Sequence, residues 1–308
     1  MSTVPSLISV NRPRAVAPRI LVFDSGLGGL TVFDEIVRLR PEADYLYAAD
    51  DAVFPYGDLS PQALVGRVLS VMERLIAQHR PDIVVIACNT ASTAVLPPLR
   101  SRWPDLAFVG TVPAIKPAAA ESRTRRISVL ATPGTVERDY TRDLVRSFAK
   151  NCDVDLVGAP RLAALAEAVL RGEAVRDEDI AVEIAPAFVD RGGRRTDIIV
   201  LACTHYPLLL PRLEHLAPWR VAFVDPAPAI ARRVDAVLAE RGYGTVFAGQ
   251  NEAAARPVGG AVLFTSRREP GPALAGVLAE RGLGTAPTAS EGAVLLTLPV
   301  EGDKSSPG

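Results

Sequence analysis

Residues 81–92 (PDIVVIACNTAS) match residues 196–207 (TDIIVLACTHYP) at a constant offset of 115. The register persists downstream, where AFVGTVPAI (107–115) aligns with AFVDPAPAI (222–230). One such match between apolar strands arises easily by chance, but two in one register do not. A weaker pairing, at an offset of 107, sets RILVFDSG (19–26) beside RISVLATP (126–133). Solenoid units repeat every 20–50 residues or so, and this period is far longer. Duplication of one folding unit into two related halves accounts for it better.

Each repeated unit is a short apolar run that ends in Gly, Asp, Cys or Thr and leads into an amphipathic stretch. Strands are predicted at Arg19–Phe23, Ile83–Ala87, Ile127–Leu130, Ile198–Ala202 and Val221–Val224. Helical spacing of apolar residues follows, for example over Leu64–Gln78 and Leu162–Arg171. This alternation predicts an α/β fold of two pseudo-symmetric domains, each a mostly parallel sheet flanked by helices. In such sheets ligands bind beyond the carboxyl ends of the strands, so the residues that end each run are the first candidates for chemistry.

Composition narrows the function classes. At 308 residues the chain is long enough for two ordinary domains. Its 34 basic and 35 acidic side chains nearly cancel, which argues against a nucleic-acid protein with a basic face. The longest apolar runs, such as Ile83–Ala87, are strand-sized and too short for a membrane span. The first 18 residues lack the continuous apolar stretch of a secretory signal. Three scattered cysteines, Cys88, Cys152 and Cys203, do not make a disulfide framework and suit a reducing cytoplasm. Residues 1–18 and 286–308 read as poorly ordered ends.

The repeat places two of those thiols at equivalent positions. A lone cysteine is usually a small buried hydrophobe, and Cys152, outside any motif, reads that way. Cys88 and Cys203 each close an Ala-Cys strand end and open a turn into a helix. A helix N-terminus there would favour the thiolate, the reactive form. Two related halves facing one another would present both thiols across a shared cleft. Inversion of a stereocentre needs such a pair, one group removing a proton and the other returning it from the opposite face.

Each thiol has a candidate proton partner. His205 lies two residues after Cys203, whereas His79 and His215 fall on helices and read as solvated. Asp24 ends the first strand and could serve Cys88, although a carboxylate before a glycine turn is also a common turn-former. Gly26, Gly28 and Gly29 follow it with G-x-G-G spacing, which does not fit the dinucleotide fingerprint G-x-G-x-x-G. A nest of backbone N–H groups at such a turn could still hold a carboxylate. Ser25, Asn89, Thr90, Thr132, Thr135 and Thr204 lie at similar ends, where each alone could equally be a helix cap. Three ligands as poorly spaced as Cys88, Cys203 and His205 make a structural zinc site, and hence a metal-binding interaction protein, the weaker alternative.

The motifs Asp24-Ser25-Gly26-Leu27-Gly28-Gly29, Pro55-Tyr56-Gly57, Ala87-Cys88-Asn89-Thr90-Ala91-Ser92, Ala131-Thr132-Pro133-Gly134-Thr135-Val136 and Cys203-Thr204-His205-Tyr206-Pro207-Leu208-Leu209 together resemble the glutamate racemases of bacterial cell-wall synthesis. The likeness spans roughly residues 19–285. It implies an active site in the cleft between the domains, with Cys88 and Cys203 as the two catalytic acid/bases of a cofactor-independent racemase. It also implies Asp24 and His205 as proton partners that contact substrate. Ser25, Tyr56, Gly57, Asn89, Thr90, Thr132, Thr135 and Thr204 match substrate-binding positions. Residues 160–167 resemble the family's Pro-x-Leu-Val-x-Leu-Val-Glu helix, which makes Glu167 a further candidate near His205, although Ala163 and Ala166 replace larger residues. Asp58-Leu59 follows Pro-Tyr-Gly where a basic residue is usual in the family. A related racemase acting on aspartate would keep both thiols and alter the binding turns.

The resemblance implies glutamate as the partner molecule, no membrane, no metal, and a cytoplasmic location; a homodimer is left open. Lysine occurs only at Lys116, Lys150 and Lys304, none in a Gly/Ser phosphate pattern, so no pyridoxal phosphate is expected. By the same resemblance residues 19–113 and 216–285 form the first domain and residues 114–215 the second. Strands Val221–Val224 and Thr245–Ala248 would then join the first sheet.

Overall fold

The computed structural model describes residues 17–244 and 260–285. Among them the chain begins with β1 (Arg19–Asp24), α1 (Leu30–Leu39), β2 (Asp44–Ala49), α2 (Pro61–His79), β3 (Ile83–Ile86), α3 (Asn89–Arg102) and β4 (Ala107–Gly110). It continues through α4 (Ile115–Glu121), β5 (Arg126–Ala131), α5 (Pro133–Val136), α6 (Asp139–Phe148), β6 (Asp153–Gly158), α7 (Leu162–Leu170) and α8 (Asp177–Ile184). The hairpin β7 (Asp190–Arg191) and β8 (Arg194–Arg195) precedes β9 (Ile198–Leu201), α9 (Leu210–Leu216) and β10 (Ala222–Val224). Last come α10 (Ala227–Glu240), β11 (Gly260–Phe264), α11 (Pro272–Glu280) and β12 (Leu283–Thr285).

Local sequence explains these elements. Every residue of β3 and of β9 is buried, as expected for strands covered by helices on both faces. The helix α2 opens where the Ser60 side chain accepts from the Ala63 N–H at 3.2 Å, with Pro61 in its first turn. It closes on Arg80 in the left-handed region at φ 46°. Leu64, Val68, Met72 and Leu75 fall on one face of it and are buried.

The strands form two parallel sheets with matching cores. The first runs in the order β12-β11-β2-β1-β3-β4 and the second β10-β9-β5-β6. The block β2-β1-β3-β4 therefore has its counterpart in β6-β5-β9-β10, strand for strand. Individual bonds correspond as well: Ala87 N–H donates to the Phe23 carbonyl at 2.7 Å, and Ala202 N–H to the Leu130 carbonyl at 2.8 Å. The duplication read from the sequence is a duplication of structure.

One boundary differs from expectation. Strand β10 pairs with β9 through Ala222–Ile198, Phe223–Ile199 and Val224–Val200, so it belongs to the second sheet and not to the first. The repeat itself gives the reason, because β10 is the copy of β4, the edge strand of its own sheet. Among the described residues the chain crosses between lobes after each edge strand, around residues 111–114 and 225–226. Past the first crossing, Ile115 and Ala118 of α4 pack in the second lobe with Ile127, Val129 and Val200. Past the second, Ile230, Val234 and Leu238 of α10 pack in the first lobe with Ile20, Val22 and Ile83. At about 1.5–3 kcal/mol for each fully buried aliphatic side chain, these contacts fix both swapped helices. Each lobe is thus completed by the helix that follows the other's edge strand.

The strand expected at Thr245–Ala248 and the ends 1–16 and 286–308 lie outside the described residues. No helix among the described residues is long and apolar enough to cross a membrane.

Candidate active site

Cys88 and Cys203 each stand two residues beyond the equivalent strands β3 and β9, and each is 6 % exposed. Asp24 and Cys203 both act electrostatically on Cys88, and Asp24 in turn acts on His205. The fold therefore gathers both thiols and both expected partners at the carboxyl ends of the two sheets, where the lobes meet.

At the second lobe's thiol the partners form a chain. His205 Nδ1 lies 3.7 Å from the Cys203 sulfur, and Nε2 lies 3.1 Å from Glu167 Oε1. That oxygen also accepts the Leu27 N–H at 2.7 Å, while Oε2 accepts from Arg171 at 3.0 Å. Burial opposes charging His205, but bonds to Cys203 and Glu167 and the nearby Asp24 charge outweigh it, so its pKa is raised well above the ordinary value. Glu167 moves the other way: burial would raise it, yet the bond and charge of His205, with Arg171 and the Leu27 N–H, hold its carboxyl below the usual range. The Gly28 N–H also points at Nε2 from 3.1 Å. That nitrogen cannot both accept and donate, and the raised imidazolium assigns its proton to Glu167. His205 then offers its other proton to Cys203.

The first lobe's thiol is surrounded differently. Cys88 is the N-cap residue of α3, as expected, and its sulfur lies 3.5 Å from Ser25 Oγ. Burial nevertheless pushes the Cys88 thiol up to about 12, with the Asp24 charge adding to it, so the helix end does not make this group a resting thiolate. Burial also raises Asp24, against the opposing charge of His205 and the bond from Gly29. Its Oδ2 accepts from Gly26 and Gly29 at 3.2 and 3.0 Å, and its Oδ1 is buried without a partner. The neighbouring Asn89 has both amide atoms buried and unbonded. Leaving such groups unbonded costs about 1–3 kcal/mol each, and buried exceptions of this kind mark places built to bind something else. Cys203 differs from Cys88 again in lacking a helix directly behind it, since a 3-10 turn over Tyr206–Leu209 intervenes before α9.

The glycine turn is not a nest for an outside anion. The amides of Gly26, Leu27 and Gly29 are taken by the protein's own Asp24 and Glu167, and that of Gly28 is turned to His205, which corrects the expectation from sequence. What it supplies is close approach between lobes. A Cβ at Gly26 would fall 2.0 Å from Glu167 Oε1, and one at Gly28 would fall 2.4 Å from His205 Nδ1. Thr90 of the first lobe forms a hydroxyl triangle with Thr132 and Thr135 of the second, with sides of 3.0, 3.1 and 3.0 Å. Gly57 lies against the same corner, since a Cβ at Gly134 would meet its carbonyl oxygen at 3.0 Å. Tyr56 is buried with its hydroxyl bonded to Asp50, so it anchors the turn that presents Gly57. Thr204 is buried, and its carbonyl accepts from Thr31 Oγ1 at 3.1 Å.

Several contributors were not singled out from sequence. Phe54 stacks at a tilt on His205, with ring centroids 5.4 Å apart. Asp50 receives Tyr56, Arg67 and Thr265, and so ties the turn at residues 54–57 to the first sheet. Arg171 could have been found, because Glu and Arg four apart on a helix are neighbours. Of the remaining histidines, His215 is exposed as expected, whereas His79 is half-buried with an unpartnered Nε2 and its pKa is lowered by burial. Among the described residues, no three His, Cys, Asp or Glu side chains converge so as to hold a metal ion.

Two duplicated parallel-sheet lobes with paired thiols at matched strand ends describe an α/β protein whose chemistry-bearing residues gather where the lobes meet. The chain belongs to the Asp/Glu/Hydantoin racemase family, which it matches over residues 27–234. It is 52% identical over 255 residues to a glutamate racemase of Brucella ovis, covering 82% of this chain and 89% of that protein. A glutamate racemase of Agrobacterium fabrum is 56% identical over 214 residues, which is 70% of this chain and 78% of that one. Among solved structures, Escherichia coli glutamate racemase in complex with L-glutamate and the activator UDP-MurNAc-Ala superposes with a TM-score of 0.77 at 37% identity. That match covers 87% of this chain and 97% of the other.

Proposed function

We propose that this chain interconverts L- and D-glutamate without a cofactor, using Cys88 and Cys203 as its two acid/bases. The observation that carries the reading is the matched pair of buried thiols, one per lobe, with Ser25 and the Asp24 charge beside Cys88 and His205 beside Cys203. One sulfur, as thiolate, takes the α-proton; the opposite sulfur, as thiol, gives its proton to the other face of the planar carbanion. Direction of reaction decides which does which, and each turnover leaves the two protonation states exchanged. Asp24 and His205 restore them: after Cys88 has taken the proton, Asp24 accepts it and His205 reprotonates Cys203. After the reverse reaction Asp24 returns a proton to Cys88 and neutral His205 accepts one from Cys203, each then re-equilibrating with solvent.

The α-proton is a very weak acid, so charge developing on the substrate must be met by preorganised donors in a site closed to water. Asn89, Ser25, Thr204 and the Thr90–Thr132–Thr135 triangle are the donors we assign to this task, with the Tyr56–Gly57 turn beside them. The two lobes, joined at the crossings near residues 111–114 and 225–226, supply the enclosure by closing on the substrate. The named relatives support glutamate as the substrate, and with it a role in supplying D-glutamate for peptidoglycan synthesis in the cytoplasm. Purified protein with no added cofactor should bring either enantiomer to an equal mixture by circular dichroism. No change of ellipticity from either side would overturn the assignment, and faster turnover of aspartate than of glutamate would transfer it to the related acid.

A further inference from the structure

We propose that Arg171 is a positioning residue for proton transfer at Cys203, holding Glu167 ionised and aimed at His205. Four side chains are joined in sequence from the protein surface to the sulfur. The Arg171 guanidinium meets Glu167 Oε2 at 3.0 Å, Glu167 Oε1 meets His205 Nε2 at 3.1 Å, and His205 Nδ1 faces the Cys203 sulfur at 3.7 Å. Only the first is open to solvent: Arg171 is 37% exposed, Glu167 6% and His205 3%. The buried carboxylate takes two donors on Oε1, from Leu27 and His205, and one on Oε2, from Arg171, the contact that keeps Oε2 from turning toward the imidazole.

The place of Arg171 in the fold is fixed by more than its charge. Its N–H closes α7 on the Glu167 carbonyl at 3.0 Å. Gly172 follows at φ +77°, and a Cβ there would lie 2.8 Å from the Ala273 methyl of α11. The end of α7 is thus pressed against a helix of the first lobe, and the guanidinium is presented to Glu167 rather than swinging free. A Glu placed N-terminal to Arg at this spacing has the favourable orientation of such pairs. The charged and titratable groups that face Glu167 are Arg171 on its own helix, His205 and beyond it Cys203 after β9, Asp24 at the end of β1, and the Tyr47 phenol of β2. Asp24 is the opposing carboxylate, so Arg171 is the cation that lets both stay near one imidazolium.

The sign is fixed by this set. With Arg171 gone, Glu167 protonates at higher pH than before, and the bond that holds His205 charged is lost from the acid side. The inference rests on the two-thiol reading above, and its test separates the two. In Arg171→Gln the side-chain 13C titration of Glu167, assigned with Glu167→Gln and read without substrate, should move to higher pH. The acid limb of kcat/KM should move the same way, with kcat/KM down about tenfold near neutrality, the scale of losing an outer partner that orients a functional group. Arg171→Lys should restore most of the rate, and Arg176→Gln, in an exposed pair with Asp179, should leave both readouts unchanged. A Glu167 titration that stays in place in Arg171→Gln overturns the proposal, as does a fall in rate with an unmoved acid limb. Should Arg171→Gln fail to fold, the same titration in Arg171→Lys, compared with wild type in high salt, decides it, because an exposed guanidinium pair is screened by salt; insensitivity to salt would count against Arg171.

Discussion

The surroundings of the two thiols share a framework and differ in nearly everything attached to it. Cys88 caps a helix of 14 residues and has a hydroxyl and a carboxylate beside it. Cys203 stands three residues before a 3-10 turn and faces an imidazolium backed by a carboxylate and a guanidinium. By the offsets of the repeat, Asp24 corresponds to Ala131, and His205 to Thr90. Neither proton partner has a copy in the other lobe. Each lobe has its strand end and its sulfur, but the residue at the His205 position in the first lobe, Thr90, is part of the threonine triangle instead. This asymmetry suits a substrate whose two faces present different groups to the two sides.

Removing a sulfur should break the comparison most completely. Cys88→Ser and Cys203→Ser should each lower racemisation by about a thousandfold or more, since one acid/base of a pair that acts as a unit is missing. Exchange of the α-proton with solvent from one enantiomer should survive in each, and from opposite enantiomers in the two variants. Equal full activity in both would remove the two-thiol account. Because the enantiomers are equally stable, kcat/KM must fall equally in both directions, so any difference between the ends will appear in kcat and KM separately.

The partners come next. Asp24→Asn and His205→Asn should each cost about 10²–10⁴-fold in turnover, the usual range for a general acid or base. Their pH profiles should differ in kind. His205→Asn removes a charged acid at neutral pH, whereas Asp24→Asn removes a carboxyl whose raised pKa is set chiefly by burial. Identical profiles would mean the two ends are less distinct than their geometry.

Close approach of the lobes should matter at a smaller scale. Gly28→Ala places a methyl within 2.4 Å of His205 Nδ1. It should cost about 1–3 kcal/mol of stability as overpacking and loosen the His205–Glu167 contact, read as a fall in denaturant midpoint together with kcat. The smallest effect is electrostatic. The folded Cys88 pKa is raised from 9.0 to about 12, so the stability it carries is present below pH 9 and lost as pH rises toward the folded value. Wild type should therefore lose stability relative to Cys88→Ser by about 1.4 kcal/mol per pH unit across that window. Parallel curves would contradict the buried thiol.

How much of this was legible in the sequence follows from the kind of contact involved. The repeat showed the matched sheets and sulfurs because short apolar strands and their terminal residues are local. It also held the right place for β10, which the family-based boundary near residue 215 overrode. The glycine turn was read as an anion nest because its N–H groups are local, whereas the carboxylate that occupies one of them, Glu167, lies 140 residues away from Leu27. Asp50 is joined to Thr265 across 215 residues, and Phe54 meets His205 only because the lobes fold together. Contacts of that range have no periodicity to announce them. The matched thiols did, and they stand where the repeat placed them.

Solvent hydrogen tests the central claim most directly. Glutamate of each hand, protiated at the α-carbon, is turned over in D2O and both enantiomers are analysed by mass spectrometry before equilibrium. With two thiols on opposite faces, product formed early should carry α-deuterium while the remaining substrate is still largely protiated, and this should hold from either direction. Early product that keeps its original proton would show one base serving both faces, and would contradict the pairing of Cys88 with Cys203.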